Sequence, residues 1–381
     1  MAEKLEKILI NKQFWERSIN FHQEHSALKV LATEIRTVKQ RFYTKKRNLK
    51  LEHAVPDCKV NMKKKIIIDT DAGLDDAQAI LMALTSCHVE VVAITTVMGN
   101  TGSPQVALNV LRILKLADRL DIPIYVGCNQ ALNGYKVEGC SGYHGSDGFG
   151  ESPDPDAPDS SLVQKEDGVS ALIRLSKQFS GDISVVCIGP LTNMAMALRK
   201  DKMFGQQLEK CYIMGGNYYG KGNVTVSAEF NFHVDPEAAR EVLHDLCCPK
   251  TLLGWETCDE NSFSWDWYKT FLKMKSNRIK YLAELEKYTM NKYYIPNINK
   301  GLIQNYEMAD QFLMAIALDE NVIMESKTVY ADVELKGELT RAQMVVDWNK
   351  ILGKEPNVKI VTKLDRDRAE KMLMESLNEN D

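Results

Sequence analysis

Short runs of apolar residues alternate along the chain with segments in which apolar residues recur every three or four positions. The run at 66–68 is three isoleucines, typical of a strand buried on both faces. Strands are predicted over 66–69, 91–97, 123–126, 183–187, 210–214 and 251–254. Helices are predicted over 75–86, 103–117, 168–179, 191–200 and 235–245. This alternation indicates βαβ units, and therefore an α/β fold with a mainly parallel central sheet flanked by helices.

The later part of the chain is less regular. Residues 264–294 are rich in aromatic residues and predict helices, and an Asn- and Pro-containing loop is predicted at 295–299. The last predicted elements are a helix from Asp310, strands near 328–335 and 342–347, and a helix from Asp365. Residues 127–167 carry many turn-forming residues and predict a long irregular loop, a kind of segment that is often functional in compact domains.

The first 62 residues differ from the rest in charge. Residues 1–65 contain 16 Lys and Arg against 7 Asp and Glu, so that 32 of the 48 basic and 45 of the 52 acidic residues follow them. Their apolar residues fit two amphipathic helices. Basic segments can contact RNA, membranes or proteins, but a solvated helical arm is the commoner structure. We therefore predict a basic, helical extension, 1–62, without a nucleic-acid partner, and a main domain, 63–381.

Composition also bears on location. No apolar run approaches the ~20 residues needed to span a membrane, and the charged N-terminus lacks the apolar core of a signal peptide. The nine cysteines include no CxxC pair, which is typical of reduced thiols rather than of a disulfide framework or a zinc site. We expect a cytoplasmic protein without a membrane partner.

Four aspartates, Asp69, Asp71, Asp75 and Asp76, fall within eight residues at the end of the first predicted strand. Carboxylates this close repel one another unless a cation lies among them, and this edge of an open α/β sheet is where ligands bind. Oxygen ligands alone favour Ca²⁺ or Mg²⁺ over zinc. The alternative is a solvated acidic turn in which Asp75 or Asp76 caps a helix, which leaves the other carboxylates unexplained.

Several later motifs bring polar residues to the ends of predicted strands and helices, and we expect them to form other walls of the same pocket. They are TTVMGN at 95–100, YHGSDGFG at 143–150, IGPLTN at 188–193, IMGG at 213–216, AEFN at 228–231, DPEAA at 235–239 and MADQ at 308–311.

Together with DTDAGLDDA at 69–77, these ordered motifs resemble those of the nucleoside hydrolases, the inosine–uridine-preferring type. The resemblance extends from about Lys63 to the C-terminus and does not include the extension. It implies that 63–381 is a catalytic domain with the Rossmann-like nucleoside hydrolase fold. It also implies Ca²⁺-dependent hydrolysis of the N-glycosidic bond of a small-molecule ribonucleoside, a role in nucleoside catabolism and salvage, and assembly as a homodimer or homotetramer.

The same resemblance implies a role for each matching residue. The implied Ca²⁺ ligands are Asp71, Asp76, Asp310 and the backbone carbonyl of Ile188, and Asp71 is also the implied general base for the attacking water. The implied ribose-binding residues are Asp75, Asn100, Asn223, Glu229 and Asn231. His144 would line the base side of the cleft and Asp69 would support the site from behind. Carboxylates and amides around a ribose suit the chemistry, because breaking a ribosyl bond passes through an oxocarbenium-like state.

One position departs from the family pattern. Many members carry a histidine immediately before the last calcium-binding aspartate, whereas this chain has Ala309. Help for the departing base would then come from His144, from a water or from aromatic stacking. The candidates for stacking are Tyr288, Tyr293, Tyr294 and Tyr306. There are two alternative functions. The first is a nucleoside- or ribose-binding relative with weakened turnover. The second, with less support, is a Mg²⁺-dependent phosphatase, in which an Asp-x-Asp pair like Asp69-x-Asp71 also follows a strand.

Overall fold

The computed structural model describes residues 63–134 and 142–378. The predicted helical extension, 1–62, lies outside the described residues, as does the segment 135–141 of the long loop. Within the described part, none of the seven cysteines forms a disulfide. No helix of that part is both long enough and apolar enough to cross a membrane.

An eight-stranded sheet forms the centre of the described domain. The described residues form ten strands in all, of which eight belong to this sheet. They are β1 (Lys64–Thr70), β2 (Val89–Thr96), β3 (Ile124–Val126), β4 (Ile183–Cys187), β5 (Lys210–Met214), β6 (Lys250–Leu253), β7 (Ile323–Val329), β8 (Ala331–Val333), β9 (Met344–Val346) and β10 (Val358–Leu364). Their order in the sheet is β3-β2-β1-β4-β5-β6-β10-β7, and β8 and β9 pair separately. Only β7 runs antiparallel within the large sheet. The predicted mainly parallel sheet is confirmed.

Helices connect the strands and flank the sheet. They are α1 (Leu74–Thr85), α2 (Ser103–Leu116), α3 (Gly168–Gln178), α4 (Thr192–Lys200), α5 (Phe204–Gln207), α6 (Phe230–Val234), α7 (Pro236–Asp245), α8 (Trp255–Glu260), α9 (Trp265–Phe271), α10 (Asn277–Thr289), α11 (Ile295–Asn299), α12 (Asp310–Leu318) and α13 (Arg366–Leu377). Short 3₁₀ turns lie at Ser160–Leu162 and Glu320–Val322, and a π-helical turn, Met290–Tyr294, joins α10 to α11.

The isoleucines of β1 show why the sheet is covered on both faces. Successive side chains of a strand point to opposite faces, so Ile66 and Ile68 join one apolar cluster and Ile67 joins another. All three are fully buried. A strand with no solvent-exposed face needs the unbroken apolar run from which β1 was predicted.

The strand order reverses at β1, and this reversal positions the functional site. From β1 the chain proceeds to β2 and β3 on one side of the sheet, and then returns to β4, β5 and β6 on the other. Asp69, near the end of β1, pairs with Thr95 of β2 and with Cys187 of β4. The loops leaving β1 and β4 therefore diverge and leave a crevice at the carboxyl edge, the usual ligand site of such sheets.

Three local predictions were wrong. Strand β10 was not predicted, because lysines at 359 and 363 interrupt its apolar run, yet it lies between β6 and β7. The strand predicted over 328–335 is divided between β7 and β8, which belong to different sheets. The loop predicted at 295–299 is helix α11, where Pro296 occupies the first turn, a position that suits the fixed φ of proline.

Candidate active site

A cavity of about 560 Å³ opens at the carboxyl edge of the sheet. It is lined by the ten residues for which the family resemblance implied a site role: Asp71, Asp75, Asp76, Asn100, His144, Ile188, Asn223, Glu229, Asn231 and Asp310. These residues come from segments more than 230 positions apart in the chain. The fold therefore brings the predicted set into one concave site.

The turn between β1 and α1 carries the acidic cluster. Gly73 is the N-cap of α1, and its backbone N–H donates to Asp76 Oδ2 at 2.8 Å, while Thr70 Oγ1 donates to Asp76 Oδ1 at 2.5 Å. Ala72 has a φ of +38°, an uncommon conformation for a residue with a side chain. Asp76 thus has the capping function considered from the sequence, and it also lines the cavity.

Asp310, the first residue of α12, faces this turn. Carboxylate oxygens of Asp75, Asp76 and Asp310 all lie within 4.8 Å of one another, and Asp76 and Asp310 are almost completely buried. Burial and the neighbouring Asp75 charge raise the pKa of Asp76 to about 7 and raise the pKa of Asp310 as well. Among the described residues, Asp75 Oδ1 is buried without a hydrogen-bond partner. A divalent cation fits this set of oxygen donors.

Asp71 projects beside the trio from a tightly packed position. Its Oδ2 accepts the backbone N–H of Asn100 at 2.8 Å, and burial, with the nearby charge of Asp76, raises its pKa. A Cβ atom at Gly99 would lie 2.0 Å from Asp71 Oδ2, and one at Gly189 would lie 2.9 Å from Oδ1. Two glycines thus leave room for this carboxylate. We call Asp71, Asp75, Asp76 and Asp310 the carboxylate end of the cleft.

Asp69 lies behind the cluster and does not line the cavity. Its Oδ1 accepts hydrogen bonds from Thr95 Oγ1 at 2.5 Å and from Asn193 Nδ2 at 2.7 Å. Asn193 also donates to the carbonyl of Thr96 and accepts from the backbone N–H of Cys128. Asn193 belongs to the IGPLTN motif, from which no role for this side chain was predicted. The structure shows that it joins the ends of β1 and β2 to the loop after β3.

Glu229 and Asn231 form a second polar wall at the start of α6. Glu229 is the N-cap, and its carboxylate accepts backbone N–H groups of Gly216 at 2.7 Å, Asn231 at 2.8 Å and Phe232 at 3.1 Å. Burial raises its pKa to about 7. Asn231 Nδ2 donates to the carbonyl of Ile188 at 3.2 Å, so the Ile188 carbonyl lies beside this wall.

His144 occupies the side of the cleft next to Asp75. Its Nδ1 accepts the backbone N–H of Leu74 at 3.1 Å, and its Nε2 lies 3.9 Å from Asp75 Oδ1. Burial lowers the pKa of His144, an effect that the Asp75 charge partly opposes. The ring is therefore neutral at neutral pH with its proton on Nε2, because Nδ1 serves as the acceptor.

Aromatic rings line another part of the cleft. Tyr143 contacts Tyr293 and Tyr294 edge to face, with ring centroids 4.8 and 5.7 Å apart, and its hydroxyl bonds to that of Tyr294. Tyr306 lines the same wall, whereas Tyr288 does not line the cavity. We call Tyr143, Tyr293, Tyr294, Tyr306 and the adjoining Glu307 the aromatic end.

Several lining residues were not singled out from the sequence. They are Glu286, Glu307, Tyr143, Phe230, Trp255 and Thr289. His233 is an exposed residue of α6 that also lines the cavity. Ala309, in the place of the family histidine, is buried and lines the cavity with only a methyl group.

The chain matches known proteins along most of the described domain. The family model described as inosine-uridine preferring nucleoside hydrolase matches residues 66–371. A probable uridine nucleosidase 2 from Oryza sativa subsp. japonica is 38% identical over 177 residues, which are 46% of this chain. In that match the chain spans about half (52%) of the relative's length. The inosine-uridine preferring nucleoside hydrolase of Crithidia fasciculata is 30% identical over 317 residues, 83% of this chain and 98% of the relative.

Solved structures agree with this match. A plant nucleoside hydrolase superposes with a TM-score of 0.75 at 29% identity, covering 83% of this chain and 99% of the plant chain. The match to the family model starts at residue 66, within the main domain, and therefore does not include the first 62 residues.

Proposed function

Because the chain belongs to the inosine-uridine preferring nucleoside hydrolase family, whose members are enzymes that hydrolyse nucleosides, we propose that it is a Ca²⁺-dependent ribonucleoside N-ribohydrolase. The products would be the free base and ribose. The observation that carries the proposal is the cluster of Asp75, Asp76 and Asp310 oxygens within 4.8 Å of one another, inside a cavity that Asp71 also lines.

The cation would be held at the carboxylate end. Asp71, Asp76, Asp310 and the Ile188 carbonyl are the proposed ligands, and the unpartnered Asp75 oxygen supports a positive charge beside them. Ca²⁺ accepts about six to eight oxygens at adaptable distances, whereas Mg²⁺ demands a stricter octahedron. When bound, the cation would neutralise the clustered carboxylates and lower the pKa of the attacking water.

Asp71 is the proposed general base. The N–H of Asn100 holds one of its oxygens in place at the cavity wall, where a carboxylate can accept a proton from water. The proton taken from water would reside on Asp71 while the oxygen of that water bonds to C1′ of the sugar.

Asp75, Asn100, Asn223, Glu229 and Asn231 are the proposed ribose-binding residues. Glu229 is held by three backbone N–H groups and Asn231 by the Ile188 carbonyl, so both are fixed before substrate arrives. Fixed polar groups lose little entropy on binding, and negative oxygens near the ring would stabilise an oxocarbenium-like state. His144 would touch the substrate as a neutral imidazole that can donate through Nε2.

Ala309 supports the second candidate, a relative that binds nucleosides with weakened turnover. Its methyl group can neither donate nor accept a proton where the family pattern has an imidazole. The phosphatase alternative has no corresponding support in the matched family. A homodimer or homotetramer and a cytoplasmic location stay predictions from the sequence.

Release of free base from inosine, adenosine, guanosine, uridine and cytidine, with and without a chelator, tests the proposal. We expect chelator-sensitive release that Ca²⁺ restores. Asp71→Asn should lower kcat by ~10³-fold, within the range of general base catalysis, while nucleoside binding persists. Calorimetry showing calcium and nucleoside binding by a wild-type protein that releases no base would favour the binding-only candidate instead.

A further inference from the structure

Two carboxyl groups, Glu286 and Glu307, line the cleft near the tyrosines, and their surroundings differ. Glu286 Oε1 accepts hydrogen bonds from Tyr306 at 2.7 Å and from Gln78 Nε2 at 3.0 Å, and Oε2 accepts from the hydroxyl of Tyr268. With three donors directed at it, Glu286 acts as an acceptor that holds the aromatic wall together. Both of its oxygens are therefore already engaged as acceptors within the wall.

Glu307 is half-buried and forms no hydrogen bond or ion pair with any described residue. Burial, with the nearby charge of Asp259, raises its pKa to about 7, and Lys221 opposes the shift. At neutral pH this carboxyl is therefore protonated in a large fraction of molecules. A protonated carboxyl that faces a binding cleft without a partner is a hydrogen-bond donor that lacks an acceptor.

Glu307 lies close enough to three tyrosines of the aromatic end to influence their hydroxyls. Its charge acts on the hydroxyls of Tyr143, Tyr293 and Tyr294, and the charge of Asp75 acts on Tyr143 and Tyr294 as well. These rings thus lie within electrostatic range of both the carboxylate end and Glu307. A nucleoside with its ribose at the carboxylate end would place its base against these rings, beside Glu307.

The other titratable groups at this end are less suited to supplying a proton. His144 is neutral, and its single ring proton is on the nitrogen next to Asp75. The hydroxyls of Tyr143 and Tyr294 bond to each other, and burial raises their pKa further above its usual value. Ala309 has no proton to give. At the aromatic end, Glu307 is a lining acid whose pKa is raised to about 7 and whose carboxyl has no hydrogen-bond partner among the described residues.

We infer that Glu307 protonates the departing base, taking the part that a histidine at position 309 has in the family pattern. The inference rests on the proposed function. As the C1′–N bond breaks, its electron pair passes to the base, and the Glu307 proton bonds to an acceptor nitrogen or oxygen of that base. Water supplies hydroxide to C1′ and a proton to Asp71. Afterwards Asp71 releases a proton and Glu307 takes one up, so that nucleoside and water yield base and ribose.

The test compares two kinds of leaving group in the full chain with Ca²⁺. Nucleoside bases need protonation to leave, whereas 4-nitrophenolate leaves from 4-nitrophenyl β-D-ribofuranoside as a stabilised anion. Glu307→Gln should lower kcat for inosine and uridine by ~100-fold and leave kcat for the nitrophenyl riboside unchanged. Glu355→Gln, at an exposed position outside the cleft, is the matched control and should match the wild type on all three substrates.

Other outcomes separate the possible failures. Equal losses on nucleosides and on the nitrophenyl riboside would mean that Glu307 maintains the site rather than donating a proton. Unchanged nucleoside turnover in Glu307→Gln, or a nucleoside-selective loss in His233→Asn instead, would also overturn the inference. A wild-type protein that hydrolyses neither substrate class would refute the proposed function itself.

The pH profile gives a second readout that a structural role would not change. Glu307 must be protonated to act, and its pKa is raised from 4.5 to about 7, so wild-type kcat on nucleosides should fall as pH rises above about 7. Asp259, Lys221 and the tyrosines at 143, 293 and 294 are the charged and titratable groups around it. Glu307→Gln should lose this descending limb, and Glu307→Asp should restore part of it. A descending limb that persists unchanged in Glu307→Gln would contradict the assignment.

Discussion

The carboxylate end and the aromatic end of the cleft are held in place by different means. Backbone groups and tight turns fix the carboxylates: the N–H of Asn100 holds Asp71, and the N–H of Gly73 holds Asp76. Contacts between side chains fix the aromatic end, where hydroxyls bond to one another or to Glu286. Backbone-held groups cannot move without the sheet edge, whereas side chains can repack. The first end should therefore tolerate far less change than the second.

Removing a proposed ligand is expected to give the largest effect. Asp310→Ala should weaken Ca²⁺ binding by at least ~100-fold, more than the loss of an outer-shell partner typically costs, and should abolish turnover. Titration calorimetry with Ca²⁺ measures the affinity directly, without relying on activity. Asp367→Ala removes an exposed aspartate from α13 and is the control. An unchanged affinity in Asp310→Ala would show that α12 does not reach the cation.

The two ends also differ in how far the sequence predicts them. Asp71, Asp76 and Asn100 follow strongly apolar strands, and the carboxyl ends of parallel strands must meet at one edge of the sheet. Their convergence could be expected once those strands were recognised. Asp310 was assigned to the site from the family resemblance, because the apolar periodicity of α12 does not show that this helix points at β1. Strand β10 was missed for a different reason, because the lysines at 359 and 363 interrupt its apolar run.

The aromatic end was predicted only in part. Of the four tyrosines that were candidates for stacking, Tyr293, Tyr294 and Tyr306 line the cleft and Tyr288 does not. The π-helical turn Met290–Tyr294 lies between α10 and α11, and a π turn changes which residues share a helix face. Spacing rules based on 3.6 residues per turn cannot follow that change. Glu307 lies in no motif. Its proposed role depends on its place in the cleft and on the absence of a hydrogen-bond partner among the described residues, and neither can be read from the sequence.

Adding a single carbon atom at the carboxylate end is expected to have the next largest effect. Gly99→Ala would bring a Cβ to 2.0 Å from Asp71 Oδ2, so the carboxylate must move. Misplacing a catalytic group by about 1 Å can cost ~100-fold, and we expect a loss of that order in kcat/KM. Gly102→Ala, in the same loop, meets its nearest atom at 3.0 Å and is the control for general loop strain. Near-normal activity in Gly99→Ala would show that Asp71 is not held as rigidly as its contacts suggest.

The pH dependence of stability should also separate the two ends. Burial raises the pKa of Asp76 from 3.8 to about 7, so between those pH values the metal-free folded protein binds more protons than the unfolded chain. Its stability should therefore fall as pH rises through that window. Ca²⁺ binds the deprotonated carboxylates, and the rise in Tm that it causes should be larger at about pH 8 than at about pH 5. Thermal melts with Ca²⁺ or chelator at both values measure the difference. Asp310→Ala should lose most of it, and an equal shift at both pH values would contradict the argument.

The smallest effect is expected where the aromatic end loses one hydroxyl. Tyr306→Phe removes a hydrogen bond to the buried Glu286 carboxylate and should lower the free energy of unfolding by about 2 kcal/mol, typical of a bond to a charged group. The ring would still stack on Tyr268, whose centroid is 4.6 Å away, and Gln78 would still donate to the same oxygen. Urea unfolding measures the stability, and Tyr288→Phe, outside the cavity, is the control. Because side chains rather than backbone shape this end, kcat on nucleosides should change far less than in Gly99→Ala. A comparable loss of turnover would mean that the aromatic wall is as tightly constrained as the carboxylates.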